Sequence, residues 1–196
     1  MRELLLASTS PFRRRMRHDA GIRVRGVAPG VDEVAPDHIT DVAHLVEHLA
    51  HAKARAVAAQ HRDACVIGAD QLAHFPGDRE RWLGKPADPE AHLSMLQEMR
   101  GRAHVLVTGL AIVEPGFEHV SHHETVMHVR ADVTDEELAA YVRTGEGSHC
   151  AAGYAAEGRG GFLFAKIEGD FFNVLGLPLL QVIAVLRARG WRFTDG

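Results

Sequence analysis

Residues 103–114 and 119–131 constrain the fold more than any other part of the chain. Both read as long strands, and Pro115-Gly116 between them reads as a turn. Two long strands joined by a short proline- and glycine-containing connection are expected to pair antiparallel. A helix lies upstream: residues 40–60, "TDVAHLVEHLAHAKARAVAAQ", carry Thr40 or Asp41 as cap and apolar residues at Val42, Leu45, Val46, Leu49 and Ala52. Residues 3–7, 22–28 and 64–69 read as further strands, the last a continuous apolar run. Residues 11–20, 89–99 and 135–144 read as helices. Pro76-Gly77-Asp78 suggests a hairpin returning through "RWLGK". A Gly-rich segment then leads to a final helix in "GLPLLQVIAVLRARG", stopped by Gly190. Strands and helices intermixed with an antiparallel pair predict an α/β domain built on a mixed sheet.

At 196 residues the chain is long enough for one good-sized domain or two small lobes sharing a core. The net charge of -4 excludes a nucleic-acid footprint over the whole surface, so any basic patch is local. No apolar run approaches transmembrane length, and the N-terminal run lacks a small-residue cleavage site. Cys65 and Cys150 form no paired framework, and a reduced cytoplasmic protein is expected. The 14 histidines invite a metal reading. "HETVMH" (His123 to His128) has one residue too many for HExxH, however. His44, His48 and His51, at helical spacing, fit a solvated face better than a chelate.

The chemistry begins at "ASTSPFRRR". Ser10 is a good helix N-cap and Pro11 a good first helical residue. Arg13, Arg14 and Arg15 then sit where a helix dipole disfavours cations. A bound phosphate would resolve this, gathering free N–H groups, the hydroxyls of Ser8, Thr9 and Ser10 and a guanidinium at one point. The other reading is that the arginines splay into solvent. Further on, Asp32, Glu33 and Asp70 can hold an oxygen-loving divalent cation, and Lys53 and Lys85 can neutralise a polyphosphate. Asp70 is read as ending an apolar strand. Carboxylates with Arg and Lys are the groups needed for metal-assisted attack on a phosphoanhydride.

In order along the chain, "LLLASTSPFRRRM", "VDE", "HAKARAVA", "VIGADQ", "LGKP", "HVLVTGLAIV", "CAAGYAAEGRG" and "IEGDFFNVLGLPL" resemble the Maf (septum-formation) family of nucleotide pyrophosphatases. The resemblance spans nearly the whole chain. It implies one domain over 1–196 with an elongated mixed sheet, flanking helices and two lobes around a cleft, similar to inosine-triphosphate pyrophosphatases. It also implies hydrolysis of a nucleoside triphosphate to monophosphate and pyrophosphate with a divalent metal such as Mg²⁺ or Mn²⁺, and a homodimer; no membrane or nucleic-acid polymer is expected as a partner. On the matching positions, Ser8, Ser10, Arg13 and Arg14 would bind phosphates and Lys53 and Lys85 the triphosphate. Glu33 and Asp70 would anchor the metal and the attacking water, with Asp70 either accepting the proton or only positioning that water. Asp170 and Asn173 would support a segment closing the cleft.

The resemblance also implies three specificity positions. Phe12, Gln71 and Glu157 stand where the dTTP/UTP group has arginine, threonine and glutamine. They resemble the 7-methyl-GTP subgroup, which typically has tryptophan, glutamine and glutamate. An aromatic face stacks on a purine, and a carboxylate accepts two hydrogen bonds from guanine. The expected substrate is therefore 7-methyl-GTP or a related modified purine nucleotide. A dTTP/UTP pyrophosphatase on the same scaffold, or a nucleotide-binding regulator of cell division, are the alternatives.

Overall fold

The computed structural model describes residues 2–10, 24–31 and 34–192. The expected helix over 11–20 and the side chains of Phe12, Arg13, Arg14, Arg15, Asp32 and Glu33 lie outside the described residues.

The described elements follow the expected alternation. They are strands β1 (Leu4–Ala7) and β2 (Arg25–Val27), helix α1 (Val42–Gln60), strands β3 (Cys65–His74) and β4 (Trp82–Leu83), and helix α2 (Pro89–Met99). Strands β5 (Ala103–Glu114) and β6 (Phe117–Val129) come next, then helix α3 (Asp135–Arg143), strand β7 (Phe164–Glu168), and helices α4 (Phe171–Val174) and α5 (Leu179–Ala188). The strands form one seven-stranded mixed sheet in the order β2-β1-β3-β5-β6-β7, with β4 on β3. β1 runs parallel to β3, whereas β5 pairs antiparallel with both β3 and β6. The α/β architecture with a mixed sheet and flanking helices is thus present.

β3 is where the structure corrects the sequence reading. Asp70 does not end this strand; it lies in its middle, opposite Gly109 of β5, and pairing continues to His74. The polar pair Asp70-Gln71 broke the apolar run that marked the strand. These residues are tolerated because of what happens on the opposite edge. There, β1 stops at Ala7, opposite Gly68, and β4 pairs only with Ala73 and His74, through Leu83 and Trp82. The edge of β3 is therefore open between the two short strands, and a cleft enters at that gap.

The two faces of the sheet differ. One is covered by α1, which buries Val42, Leu45, Val46, Leu49, Ala50 and Val57 against it. Each fully buried large aliphatic side chain contributes roughly 1.5–3 kcal/mol relative to exposure. Of the expected stripe, Val42, Leu45, Val46 and Leu49 are buried but Ala52 is only half-buried, and the buried face instead takes in Ala50, Ala54 and, unusually, Lys53. The opposite face carries two apolar clusters. Leu6, Ile67, Leu110 and Ile112 pack with Leu179, Val182 and Leu186 of α5. Leu106 and Met127 pack with Leu96, Met99, Leu138 and Tyr141 of α2 and α3. Between the clusters, Gln71, Thr108, Thr125 and Asn173 form a polar seam.

α1 lies unusually close to the sheet. A Cβ on Gly68 would stand 2.2 Å from the Ala50 carbonyl oxygen, and one on Gly109 would stand 2.0 Å from that of Val46. Only glycine at both positions allows this approach.

Asp41 starts α1. Its Oδ1 accepts the Ala43 and His44 N–H groups at 2.8 and 3.3 Å, and its Oδ2 pairs with Arg79 at 2.8 Å. The Arg79 bond, aided by the two backbone N–H groups, lowers the Asp41 carboxyl from an ordinary 3.8 to about 2. A carboxyl lowered on folding stabilises the fold above its unfolded pKa, and that contribution disappears as pH falls through the folded one. Stability should therefore fall between about pH 4 and pH 2, and Asp41→Asn should flatten that part of the curve in urea denaturation measured against pH.

Candidate active site

Ser8, Ser10, Lys53, Asp70, Gln71, Lys85 and Glu157, the sequence-predicted catalytic, binding and specificity residues among the described ones, line one cleft of about 570 Å³ at the gap in the β3 edge. Three groups of residues meet there. Ser8 and Ser10 follow β1 on one side. Lys53 from α1 and Asp70 and Gln71 from β3 form the floor. Lys85, after β4, and Glu157, in the Gly-rich segment, form the far wall. A second depression of about 640 Å³, at the C-terminal end of α1 against Arg2 and Glu3, contains none of them.

The floor is built around an ion pair. Lys53 Nζ donates to Asp70 Oδ1 at 2.5 Å, with the two side chains only 5 and 11% exposed. The close approach allowed by Gly68 and Gly109 brings Lys53 to the sheet at this point. Burying a lysine and an aspartate costs desolvation that their attraction repays only in part, and an apolar pair of similar size is often at least as stable. Core stability alone therefore does not explain the pair. Oδ1 is taken by Lys53, so Oδ2 is the oxygen left for a water or a cation.

Gln71 points to the other face of β3. Its Nε2 donates to Thr108 Oγ1 at 2.9 Å and to the Asn173 carbonyl at 2.7 Å. Both amide hydrogens are thereby used, and the group Gln71 retains for a ligand is the acceptor Oε1. Asn173 is fully buried and bonded through Nδ2 to the His123 carbonyl and Thr125 Oγ1. This fastens the segment before α5 onto β6, and Val174, Leu175 and Gly176 line the cleft. Asp170 instead caps α4 by accepting the Phe172 N–H at 2.9 Å. Neither Asp170 nor Asn173 faces the cleft directly.

On the near side, Ser8 is buried and its Oγ accepts the Ser10 N–H at 3.1 Å, turning the chain sharply after β1. Lys85 and Glu157 are exposed at the rim. Cys150 lines the same cleft, its thiol pushed up to about 11 by burial and then by the charges of Glu157 and Glu146. It is protonated at neutral pH and is a poor nucleophile.

Sequence reasoning missed Trp82 and Tyr154, which bring aromatic surface into the cleft, and Thr108, which holds Gln71. Trp82 was legible as an aromatic two residues before the Gly-Lys pair. Tyr154 and Thr108 carry no local signal.

The divalent cation needs hard oxygen donors. Among the described residues no three His, Cys, Asp or Glu side chains stand close enough to hold a metal ion. Asp70 supplies one carboxylate oxygen beside a cleft lined by two lysines. One or two carboxylates completed by substrate phosphates is the arrangement Mg²⁺ accepts, so this donor set fits such a cation.

The model of the family described as Maf-like protein matches residues 3–189. The chain belongs to the Maf family. Relatives are similar over nearly its full length. One named dTTP/UTP pyrophosphatase, from Moorella thermoacetica, is 44% identical over 192 residues, covering 97% of this chain and 96% of the relative. Another of that name, from Symbiobacterium thermophilum, is 41% identical over 197 residues, covering 100 and 99%. Among solved structures, the Staphylococcus aureus Ham1 protein is similar with a TM-score of 0.46 and 18% identity, covering 66% of this chain and 73% of that one. Within this Maf chain, Gln71 and Glu157 are the described positions at which the sequence reading separated the substrate groups.

Proposed function

We propose that the chain is a nucleoside triphosphate pyrophosphatase that cleaves between the α- and β-phosphates, with dTTP and UTP as substrates. The observation that carries the activity is the buried Lys53–Asp70 pair opening on a cleft with Lys85 and the Ser8–Ser10 turn. The base preference is supported by relatives named for those nucleotides at 41 and 44% identity.

In this reading the hydroxyls of Ser8 and Ser10, with Arg13 and Arg14, bind phosphate oxygens. Lys53 and Lys85 neutralise the triphosphate. Asp70 Oδ2 orients a water at the α-phosphorus. The water oxygen bonds to that phosphorus, the bridging bond to the β-phosphate breaks, and pyrophosphate leaves with the electron pair. The water's proton passes to Asp70 or to solvent. Asp70 and Glu33 would hold a divalent cation, which when bound neutralises phosphate charge and makes the water more acidic. The free thiols Cys65 and Cys150 fit a reducing, cytoplasmic setting.

A second reading, 7-methyl-GTP or another guanine nucleotide, is favoured by one observation. Gln71, held by Thr108 and Asn173, retains an acceptor for a ligand, and Glu157 brings carboxyl oxygens as further acceptors. Guanine presents adjacent donors, N1–H and the exocyclic amine, whereas thymine and uracil present one donor between two acceptors. Phe12 would supply a stacking face. A turnover panel of dTTP, UTP, GTP and 7-methyl-GTP separates the two. The first reading expects kcat/KM for dTTP and UTP at least about tenfold above the guanine nucleotides, and the second expects the reverse.

A further inference from the structure

Glu157 sits at the rim of the cleft in a segment without long secondary structure, yet the residues just before it are held by side chains from three different elements. The Gly153 carbonyl lies 2.5 Å from Nε2 of His92 on α2. The Tyr154 hydroxyl lies 2.6 Å from Nε2 of His104 on β5. The Ala155 N–H donates to the hydroxyl of Tyr141 on α3 at 3.0 Å. All three holding side chains are buried, and none lines the cleft. Burial, followed by His128 and His74, lowers His104 to about 3, so its ring is a neutral partner for the tyrosine hydroxyl at any ordinary pH. The His92 and Tyr141 rings meet edge to face with centroids 6.1 Å apart, so two of the contacts brace each other.

The backbone is shaped to receive these contacts. Gly153 has φ +75°, and a Cβ there would come 2.8 Å from the His92 ring. Ala152, at φ 58°, is the only non-glycine residue with positive φ among the described residues. Such strain persists only where the surroundings hold it. Its N–H donates to the Gly84 carbonyl at 3.0 Å, tying the same run to the residue before Lys85. Beyond Ala155, the Gly158 N–H returns to the Ala155 carbonyl at 3.2 Å, closing a turn with Glu157 at its third position. The Arg159 N–H is then held by Glu146 at 2.8 Å.

We infer that His92, His104 and Tyr141 are positioning residues: by holding Gly153, Tyr154 and Ala155 they fix the turn that presents Glu157, and so set discrimination among nucleobases. The inference rests on Glu157 contacting the base, the contact that the guanine-nucleotide reading above gives it.

The test is a double-mutant cycle on the full chain. It reads the ratio of Kd values for the α,β-methylene analogues of UTP and GTP, which needs no turnover, together with Tm. Glu157→Ala is expected to shift the ratio about tenfold and Tyr141→Phe about fivefold, the loss of one hydrogen bond. In the Glu157→Ala background, Tyr141→Phe should shift it less than about twofold. His92→Leu should act like Tyr141→Phe, and His92→Gln, which keeps a donor for the Gly153 carbonyl, should recover most of the ratio. A purely structural role would lower Tm and leave the ratio alone, and that result overturns the inference. So does an equal effect of Tyr141→Phe in both backgrounds. If Glu157→Ala shifts the ratio and Tyr141→Phe does not, the inference alone falls. If Glu157→Ala leaves it unchanged, the base contact falls and takes the inference with it.

Discussion

Asp70→Asn is expected to lower turnover of the preferred nucleoside triphosphate about a thousandfold, while nucleotide binding changes little. The substitution keeps the shape of the side chain and can leave an amide oxygen beside Lys53. It removes the charge that, in the proposed mechanism, orients the water and contributes to holding a cation. Single-turnover kinetics with a binding titration separates the two effects. If kcat were unchanged, Asp70 would have no part in the chemistry. If kcat were unchanged while KM rose steeply, its role would be binding alone. Lys53→Met is a useful companion because it leaves Asp70 buried without its cation, and breaking a buried pair from one side is costly to the fold.

Gly109→Ala is expected to cost about 3 kcal/mol of stability and most of the activity. Its new Cβ would meet the Val46 carbonyl oxygen at 2.0 Å and Glu47 N at 2.8 Å. These are backbone atoms inside a regular helix, so no side chain can rotate away and α1 must lift from the sheet. Overpacking of this kind costs typically 1–3 kcal/mol, and a backbone clash lies at the upper end. For a domain of this size, about 3 kcal/mol lowers Tm by roughly 10 °C. Activity should fall as well, because Lys53 reaches Asp70 only while α1 lies close. Thermal melts and kcat should therefore fall together. A folded Gly109→Ala protein with normal turnover would show that this close approach does not position the site.

How much of this was legible in the sequence differs from element to element. β5 and helix α2 were readable with the boundaries they have, β5 as a long apolar run stopped by Pro115-Gly116 and α2 as a stretch opened by Asp88 and Pro89. The second half of β3 was hidden because Asp70 and Gln71 interrupt the apolar pattern, and the gap between β1 and β4 that accommodates them is a property of the assembled sheet. β7 was missed because it is a short edge strand of half-exposed residues following a Gly-rich stretch. α4, at four residues, is too short to show a helical period. The same division holds at the site. Ser8, Ser10, Lys53, Asp70, Gln71, Lys85 and Glu157 each sit in a local motif whose residue types suggest their chemistry, and they line one cleft. What fixes them is non-local. Gln71 is held by the carbonyl of Asn173, 102 positions away, and Gly153 by His92, 61 positions away. Such pairings leave no trace in spacing or composition.

The central claim is that the water held at Asp70 attacks the α-phosphorus. Turnover of the preferred nucleoside triphosphate in ¹⁸O-labelled water, with mass analysis of both products, tests it directly. One labelled oxygen in the nucleoside monophosphate and unlabelled pyrophosphate is the predicted result. Label in pyrophosphate would place the attack on the β-phosphorus, and release of labelled inorganic phosphate would place it on the γ-phosphorus; either outcome would contradict the claim.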